Sequence, residues 1–253
     1  MLCTAFPWVC RLSARRSAPG RRLHETDPST CYAPKANDRD NGVTGHQGFY
    51  AKYGKRAVDL CLSMIAILLL SPVMALVAIL VYWKLGSPVL FKQRRSGQNG
   101  CLITVVKFRS MTNERDAQGR LLPDIKRLTN FGRMLRRSSL DELPQLFGVL
   151  RGEMSLVGPR PLLPEYLPYY TERERKRHLV RPGIAGLAQV GGRNRLPWNA
   201  RLETDVLYVE SQSLSLDTKI LAKAVIKALR RSDIDDNSVE PNLGSERSNH
   251  AGQ

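Results

Sequence analysis

Two adjacent carboxylates, Asp141 and Glu142, lie in the run Arg136-Arg137-Ser138-Ser139-Leu140-Asp141-Glu142-Leu143-Pro144, close behind two arginines. Acids and guanidiniums brought together in one short stretch suit phosphate chemistry, with the acid as nucleophile or metal ligand. Pro144 lacks an N–H and clashes with the preceding turn inside a helix, so the sequence places a helix start near Asp141, with Pro144 in its first turn. Free backbone N–H groups and the positive end of the helix dipole would keep Asp141 ionised there. The same place suits a phosphate anion. A structural reading competes: Ser139-Leu140-Asp141-Glu142 fits the S-x-x-E capping box, in which the carboxylates only start a helix. With Ser139 as N-cap, however, Pro144 would be the fifth helical residue and would delete a needed hydrogen bond to the Leu140 carbonyl.

Other candidates lie on turns and strands. Residues 87–111 read as a β-hairpin: Val89-Leu90-Phe91-Lys92-Gln93-Arg94, a Ser96-Gly97-Gln98-Asn99-Gly100 turn, then a second strand from Leu102 to Arg109. Alternation along the second strand puts Ile103, Val105, Lys107 and Arg109 on one face, bringing two cations to one end of a sheet. They serve phosphate binding or only protect a solvated edge. In Gly158-Pro159-Arg160-Pro161, two prolines fix φ on either side of Arg160 and hold its guanidinium out with little entropy left to lose, which suits bidentate phosphate contact; a plain turn is the alternative. Arg181-Pro182-Gly183-Ile184-Ala185-Gly186 and Gly191-Gly192-Arg193-Asn194 are loops in which a ligand can approach the backbone closely. Neither has the strand-to-helix context of a P-loop or a Rossmann fingerprint.

The elements that must position these groups begin with a membrane segment. Residues 57–83 are almost wholly apolar, and their one charge, Asp59, stands at the start. Ser71-Pro72 divides the segment into halves too short to cross a bilayer alone, and the Ser71 hydroxyl can bond back to the preceding turn. Lys52, Lys55 and Arg56 precede it; Lys84, Lys92, Arg94 and Arg95 follow it. Both flanks therefore ask to be cytoplasmic, which fits a hairpin that re-emerges on the side it entered, while a kinked span fits the same composition. Residues 217–231 carry Ile220, Leu221, Ala224, Val225, Ala228 and Leu229 on one face, with Lys219, Lys223, Lys227 and Arg230 alongside, the pattern of a helix lying in a membrane interface or packed on its own domain.

Composition bounds the partners. Lys and Arg outnumber Asp and Glu by 39 to 23 over 253 residues, a formal net charge of +16, so anionic partners are expected: an acidic membrane surface, phosphorylated substrates or nucleic acid. No nucleic-acid motif and no aromatic and basic interleaving on a strand face accompanies the charge, so nucleic acid is not expected. Cys3, Cys10, Cys31, Cys61 and Cys101 form no C-x-x-C and have no His nearby at metal-ligand spacing, against a disulfide framework or a zinc site. The expected organisation is a disordered tail over 1–48, a membrane segment over 49–84, a domain with interfacial helices over 85–231 and a disordered tail over 232–253. The fold class is α+β, with a Ser-Pro broken membrane helix, a β-hairpin and several short and amphipathic helices.

Taken together and in order, these pieces resemble the bacterial sugar transferases known as small monotopic phosphoglycosyl transferases. The resemblance covers about residues 53–229: the Ser71-Pro72 helix, Lys107-Phe108-Arg109-Ser110-Met111-Thr112, Arg136 to Leu146, Met154-Ser155-Leu156-Val157-Gly158-Pro159-Arg160-Pro161, Arg181-Pro182-Gly183-Ile184, and Asp205-Val206-Leu207-Tyr208-Val209. It implies that the helix over 49–84 is re-entrant, the protein monotopic and the 85–231 domain catalytic. It also implies transfer of a sugar-1-phosphate from a UDP-sugar to a polyprenyl (undecaprenyl) phosphate with Mg²⁺ and release of UMP, at the cytoplasmic face of a bacterial inner membrane, as the first membrane step of glycan or polysaccharide assembly. Asp141 takes the nucleophile's place and is a metal ligand as well, Glu142 completes the catalytic dyad, and Lys107, Arg136, Arg160 and Asp205 match substrate-binding positions. The chain departs from the usual pattern at Ala185, Gly191 and Asn199, so the resemblance does not name the donor sugar. A homo-oligomer is compatible with the sequence and not required by it. Two other functions compete: a membrane-associated glycosyltransferase that moves sugar without phosphate and releases UDP, and a membrane-anchored module that binds polyanions.

Overall fold

The computed structural model describes residues 49–191, 197–230, 243, 244 and 247. Both predicted tails fall almost wholly outside these, as does most of the Gly191-Gly192-Arg193-Asn194 loop. After a π-helical turn at Tyr50–Gly54 the chain enters α1, Lys55–Leu85. A hairpin follows, β1 (Leu90–Ser96) and β2 (Leu102–Phe108), then α2 (Asp124–Arg127), α3 (Asn130–Arg137) and α4 (Gln145–Arg151). Next come β3 (Ser155–Val157), α5 (Glu172–Arg175), β4 (Gly183–Ala185), α6 (Leu187–Val190), α7 (Trp198–Glu210) and α8 (Leu214–Arg230).

α1 runs unbroken through Pro72, where the sequence suggested an interruption. Proline removes one donor from the ladder, and the Ser71 hydroxyl donates to the Leu68 carbonyl at 2.9 Å, a local bond of the predicted kind. At about 1.5 Å per residue a helix of 31 residues is about 46 Å long, and by length and composition it is apolar enough to cross a membrane. One stripe is buried: Lys55, Asp59, Ser63, Val77 and Val81. Its amino-terminal half packs Ala66 and Ile67 on the main core, and its carboxyl-terminal half packs Val77 and Val81 on Phe108 and Leu135. The rest of the circumference is bare hydrocarbon, including Leu62, Ile65, Leu68, Leu69, Leu76, Ile79 and Trp83.

Polar contacts tie both ends of α1 to the same body. At the start, Arg56 donates to the Val149 and Leu150 carbonyls (2.7 and 3.0 Å), Lys55 meets Asp217 at 2.7 Å, and Asp59 accepts the Leu156 N–H at 3.1 Å. At the far end, Arg109 donates to the Leu85, Gly86 and Ser87 carbonyls. Arg109 was expected beside Lys107 on one strand face. It lies just past the end of β2, and its guanidinium meets the carbonyls at the helix end, which have no intrahelical partner.

The hairpin forms as expected, antiparallel with Phe91 opposite Lys107, Gln93 opposite Val105 and Arg95 opposite Ile103. A second pair was not foreseen. β3 and β4 lie parallel, with Ser155 opposite Gly183 and Val157 opposite Ala185. Gly183 makes the pairing possible, because a Cβ there would stand 2.0 Å from the Gly158 nitrogen. Gly183 and Ile184 also line a cleft beside Glu142. The main core gathers Val105, Leu146, Val149, Met154, Leu156, Val157, Tyr208 and Ile220 between α4, the two sheets, α7 and α8. On α8 the apolar face divides. Ile220, Leu221 and Ala224 pack on that core, while Val225, Ile226 and Leu229 near the carboxyl end remain exposed. Of the two cysteines among the described residues, Cys61 is free and exposed on α1 and Cys101 is disulfide-bonded.

Candidate active site

The dyad sits between two helices rather than at the start of one. α3 is capped by Thr129, whose side chain accepts the Gly132 N–H at 3.0 Å. Gly132 lets the helix press on the segment after β2, since a Cβ there would lie 1.8 Å from the Ser110 carbonyl oxygen. That contact fixes Arg136, whose Nε donates to Ser110 Oγ at 2.9 Å. The chain then reverses at Ser139 in the left-handed region (φ 55°) and makes a 3₁₀ turn, Leu140–Glu142, before Pro144 caps α4. A three-residue repeat stacks Leu140 and Leu143 on one side, where both pack into apolar clusters. Asp141 and Glu142, about 120° apart, are left to the other sides. Ser139 makes no side-chain capping bond, so the capping-box reading does not hold, and α4 starts at Gln145, four residues later than the sequence placed it.

The two carboxylates meet different surroundings. Glu142 faces β2 and the Pro-flanked turn: Lys107 Nζ is 2.5 Å and Arg160 Nη2 3.5 Å from its Oε1. Burial works to raise its pKa, but Lys107 and Arg160 outweigh burial and hold it at about 2. Asp141 is buried and accepts no hydrogen bond from any described residue. Burial first, then the adjacent Glu142, pushes its pKa up to about 6, against the pull of Lys107, Arg136 and Arg160. The free N–H groups expected to hold Asp141 ionised do not reach it, because the turn it occupies aims no N–H at its carboxylate.

The structure thus brings together five of the six predicted residues: Asp141, Glu142, Lys107, Arg136 and Arg160. Asp205 stands apart on α7. It is buried against Arg177 (Nη2 to Oδ2 2.7 Å), and Arg177 in turn donates to the Arg160 carbonyl at 2.7 Å, so Asp205 reaches the cluster only through that relay.

Beside the dyad lies a shallow cleft, partly open to solvent. Lys107, Glu142 and Arg160 share its walls with Phe91, Gln93, Arg95 and Gln145. The sequence reading counted Arg95 only as a membrane flank. Pairing β1 with β2 shows otherwise, since Phe91, Gln93 and Arg95 alternate onto the side that carries Val105 and Lys107.

Among the described residues no group of three or more His, Cys, Asp or Glu side chains is placed to hold a metal ion. A buried carboxylate without a donor among the described residues, next to a second carboxylate, nevertheless fits a magnesium ion of the type that takes one or two protein oxygens and completes its shell with substrate phosphate and water. Asp141 is the residue that would hold it.

The chain matches the family described as Bacterial sugar transferase over residues 50–231. It is 51% identical over 175 residues, 69% of this chain and 87% of the relative, to a Bacillus subtilis (strain 168) protein named uncharacterized sugar transferase EpsL. It is 39% identical over 207 residues to the UDP-glucose:undecaprenyl-phosphate glucose-1-phosphate transferase of Xanthomonas campestris pv. campestris, and 36% identical over 201 residues to the undecaprenyl-phosphate galactose phosphotransferase of Salmonella typhimurium. Those alignments cover 78% and 72% of this chain but 42% and 41% of the relatives, so the chain spans less than half the length of either.

Proposed function

Because the chain belongs to the bacterial sugar transferase family, we propose that it transfers a sugar-1-phosphate from a UDP-sugar to a polyprenyl phosphate and releases UMP. The observation that carries this proposal is the unequal dyad, a carboxylate with no donor among the described residues beside one locked to two cations. Relatives named for glucose-1-phosphate and galactose phosphotransfer to undecaprenyl phosphate support the acceptor class.

In the proposed mechanism an oxygen of ionised Asp141 attacks the sugar-linked phosphorus. The bond from that phosphorus to the bridging oxygen breaks, its electron pair leaves with UMP, and a phosphosugar remains on Asp141 as an acyl phosphate. An oxygen of the polyprenyl phosphate then attacks the same phosphorus and frees Asp141. A pKa of about 6 leaves Asp141 mostly ionised at neutral pH yet more basic than an ordinary aspartate, which suits a nucleophile. Arg160 and Arg136 stabilise negative charge around the reacting phosphorus. Lys107 holds Glu142 ionised and in place. A magnesium ion on Asp141 would supply positive charge to the diphosphate.

The site would work at the cytoplasmic face of the inner membrane, with α1 lying along that face and its exposed apolar flank set into it. Support comes from α1 itself: Arg56 binds α4 at one end, Arg109 binds the Leu85 carbonyl at the other, and the exposed flank between is apolar. Two ends tied to one polar body fit one side of a bilayer better than two. The exposed Val225, Ile226 and Leu229 give α8 a second apolar surface for the interface.

The deciding assay follows nucleotide release from a panel of UDP-sugars with polyprenyl phosphate. UMP is expected; UDP would assign the chain to simple sugar transfer, and no turnover with any UDP-sugar would favour a polyanion-binding role.

A further inference from the structure

We infer that Arg95 binds the phosphate that leaves with the nucleotide, a role that rests on the proposed transfer and divides the diphosphate between two arginines. The inference starts from an imbalance of charge. Three cations, Lys107, Arg160 and Arg95, line the cleft, and the one carboxylate among its lining residues, Glu142, is already shared by Lys107 and Arg160. Arg95 has no carboxylate at ion-pair distance among the described residues. Its guanidinium is oriented instead by neutral acceptors: Nε and Nη2 donate to Gln93 Oε1 at 3.1 and 2.7 Å, and Nη1 reaches the Pro161 carbonyl at 3.5 Å.

Such a cation is half-buried beside a second one. Burial, and then Arg160, lower its pKa, so the guanidinium stays charged but its charge is poorly compensated, as an anion-binding group's would be. The framework is stiff where it matters, because Ser96 anchors the end of β1 to the Leu162 carbonyl through both its N–H (2.9 Å) and its hydroxyl (3.1 Å). Arg95 and Arg160 are therefore held across one short span of chain, facing a space open to ligand.

The two arginines differ in their distance from the chemistry. Arg160 touches Glu142 and acts on Asp141. Arg95 is among the principal influences on neither carboxylate. A diphosphate laid with its sugar-linked phosphorus at Asp141 and Arg160 thus presents its nucleotide-side phosphate toward Arg95. The ligand class is a nucleoside 5′-phosphate, and Arg95 is a substrate-binding residue on the donor side only.

The test measures binding of UMP and of uridine to the full-length protein in detergent, for wild type, Arg95→Gln and Arg95→Lys. Loss of one charge-assisted contact should weaken UMP about 10- to 100-fold in Arg95→Gln, less in Arg95→Lys, with uridine binding unchanged and the KM for polyprenyl phosphate within about twofold. A thermal melt identifies any variant that fails to fold, and Arg95→Lys, which keeps the charge, then carries the comparison. If Arg95→Gln binds UMP as wild type does, or loses UMP and uridine equally, Arg95 is a structural residue and the inference is overturned while the transfer reaction stands. If wild type binds no UMP and releases UDP in turnover, the proposed function fails and the inference falls with it.

Discussion

Lys107 and Glu142 meet at 2.5 Å, joining the end of β2 to the turn that carries the dyad, and this pair gives two neighbouring carboxylates opposite characters. Glu142 is held at about 2, whereas Asp141, the adjacent residue, is pushed up to about 6. If Lys107 is the cause, Lys107→Met should cut turnover by about 100-fold or more. It should also move the acid limb of the pH–rate profile to higher pH, since both carboxylates lose a cation that lowers them. A Lys107→Met enzyme with an unmoved acid limb would show that Lys107 does not tune the dyad.

Asp141 should impose a stability cost that depends on pH. Its folded pKa of about 6 lies above the ordinary 3.8, so the folded state binds the proton more tightly and stability is lost as pH rises from about 4 through 6. Asp141→Asn removes that cost. The variant should be more stable than wild type at pH 7.5, by on the order of 1–3 kcal/mol, and the gain should vanish near pH 4. Thermal melts at the two pH values check this; equal melting temperatures throughout would mean that the carboxylate is not strained.

The Arg177 and Asp205 pair is buried on both sides. Arg177→Met removes the cation bonded to the buried Asp205 carboxylate and should cost about 3–5 kcal/mol, while Arg177→Met with Asp205→Leu should recover most of it. The melting temperature of the double variant is the informative number. Because Arg177 also supports the Arg160 carbonyl, the double variant should regain stability without regaining full activity.

Single cysteines at Lys52 and Ser87, in a chain freed of its native cysteines, test the topology of α1. Both should resist an impermeant thiol reagent in intact cells and react after permeabilisation. Labelling of one from outside would make α1 a span.

What the sequence made legible was set by local physics. Alternation and a Gly-rich turn located the hairpin almost to the residue, and two prolines around Arg160 marked a rigid turn that does face Glu142. Motif order supplied the dyad. Features that depend on distant partners were hidden. Pro144 and the S-x-x-E pattern signal a helix start, but neither reveals that Ser139 takes a left-handed turn with Leu140 and Leu143 packed beneath it. Pro72 reads as a breaker, yet α1 continues, and the Leu68 carbonyl that loses its usual donor accepts the Ser71 hydroxyl instead. Arg109 and Arg95 exchange their expected places: the first caps a helix, the second lines the cleft. Asp205 carries no local sign that Arg177, 28 residues away, would claim its carboxylate.

A lipid-free reaction decides whether Asp141 takes the phosphosugar covalently. Enzyme mixed with its UDP-sugar and no polyprenyl phosphate should release one UMP per active site and stop. The stalled protein should carry a sugar-phosphate mass on the peptide containing Asp141, labile to hydroxylamine, and Asp141→Asn should give neither. No lipid-independent UMP, together with substantial turnover by Asp141→Asn, would contradict the account and assign the attack to the lipid phosphate itself.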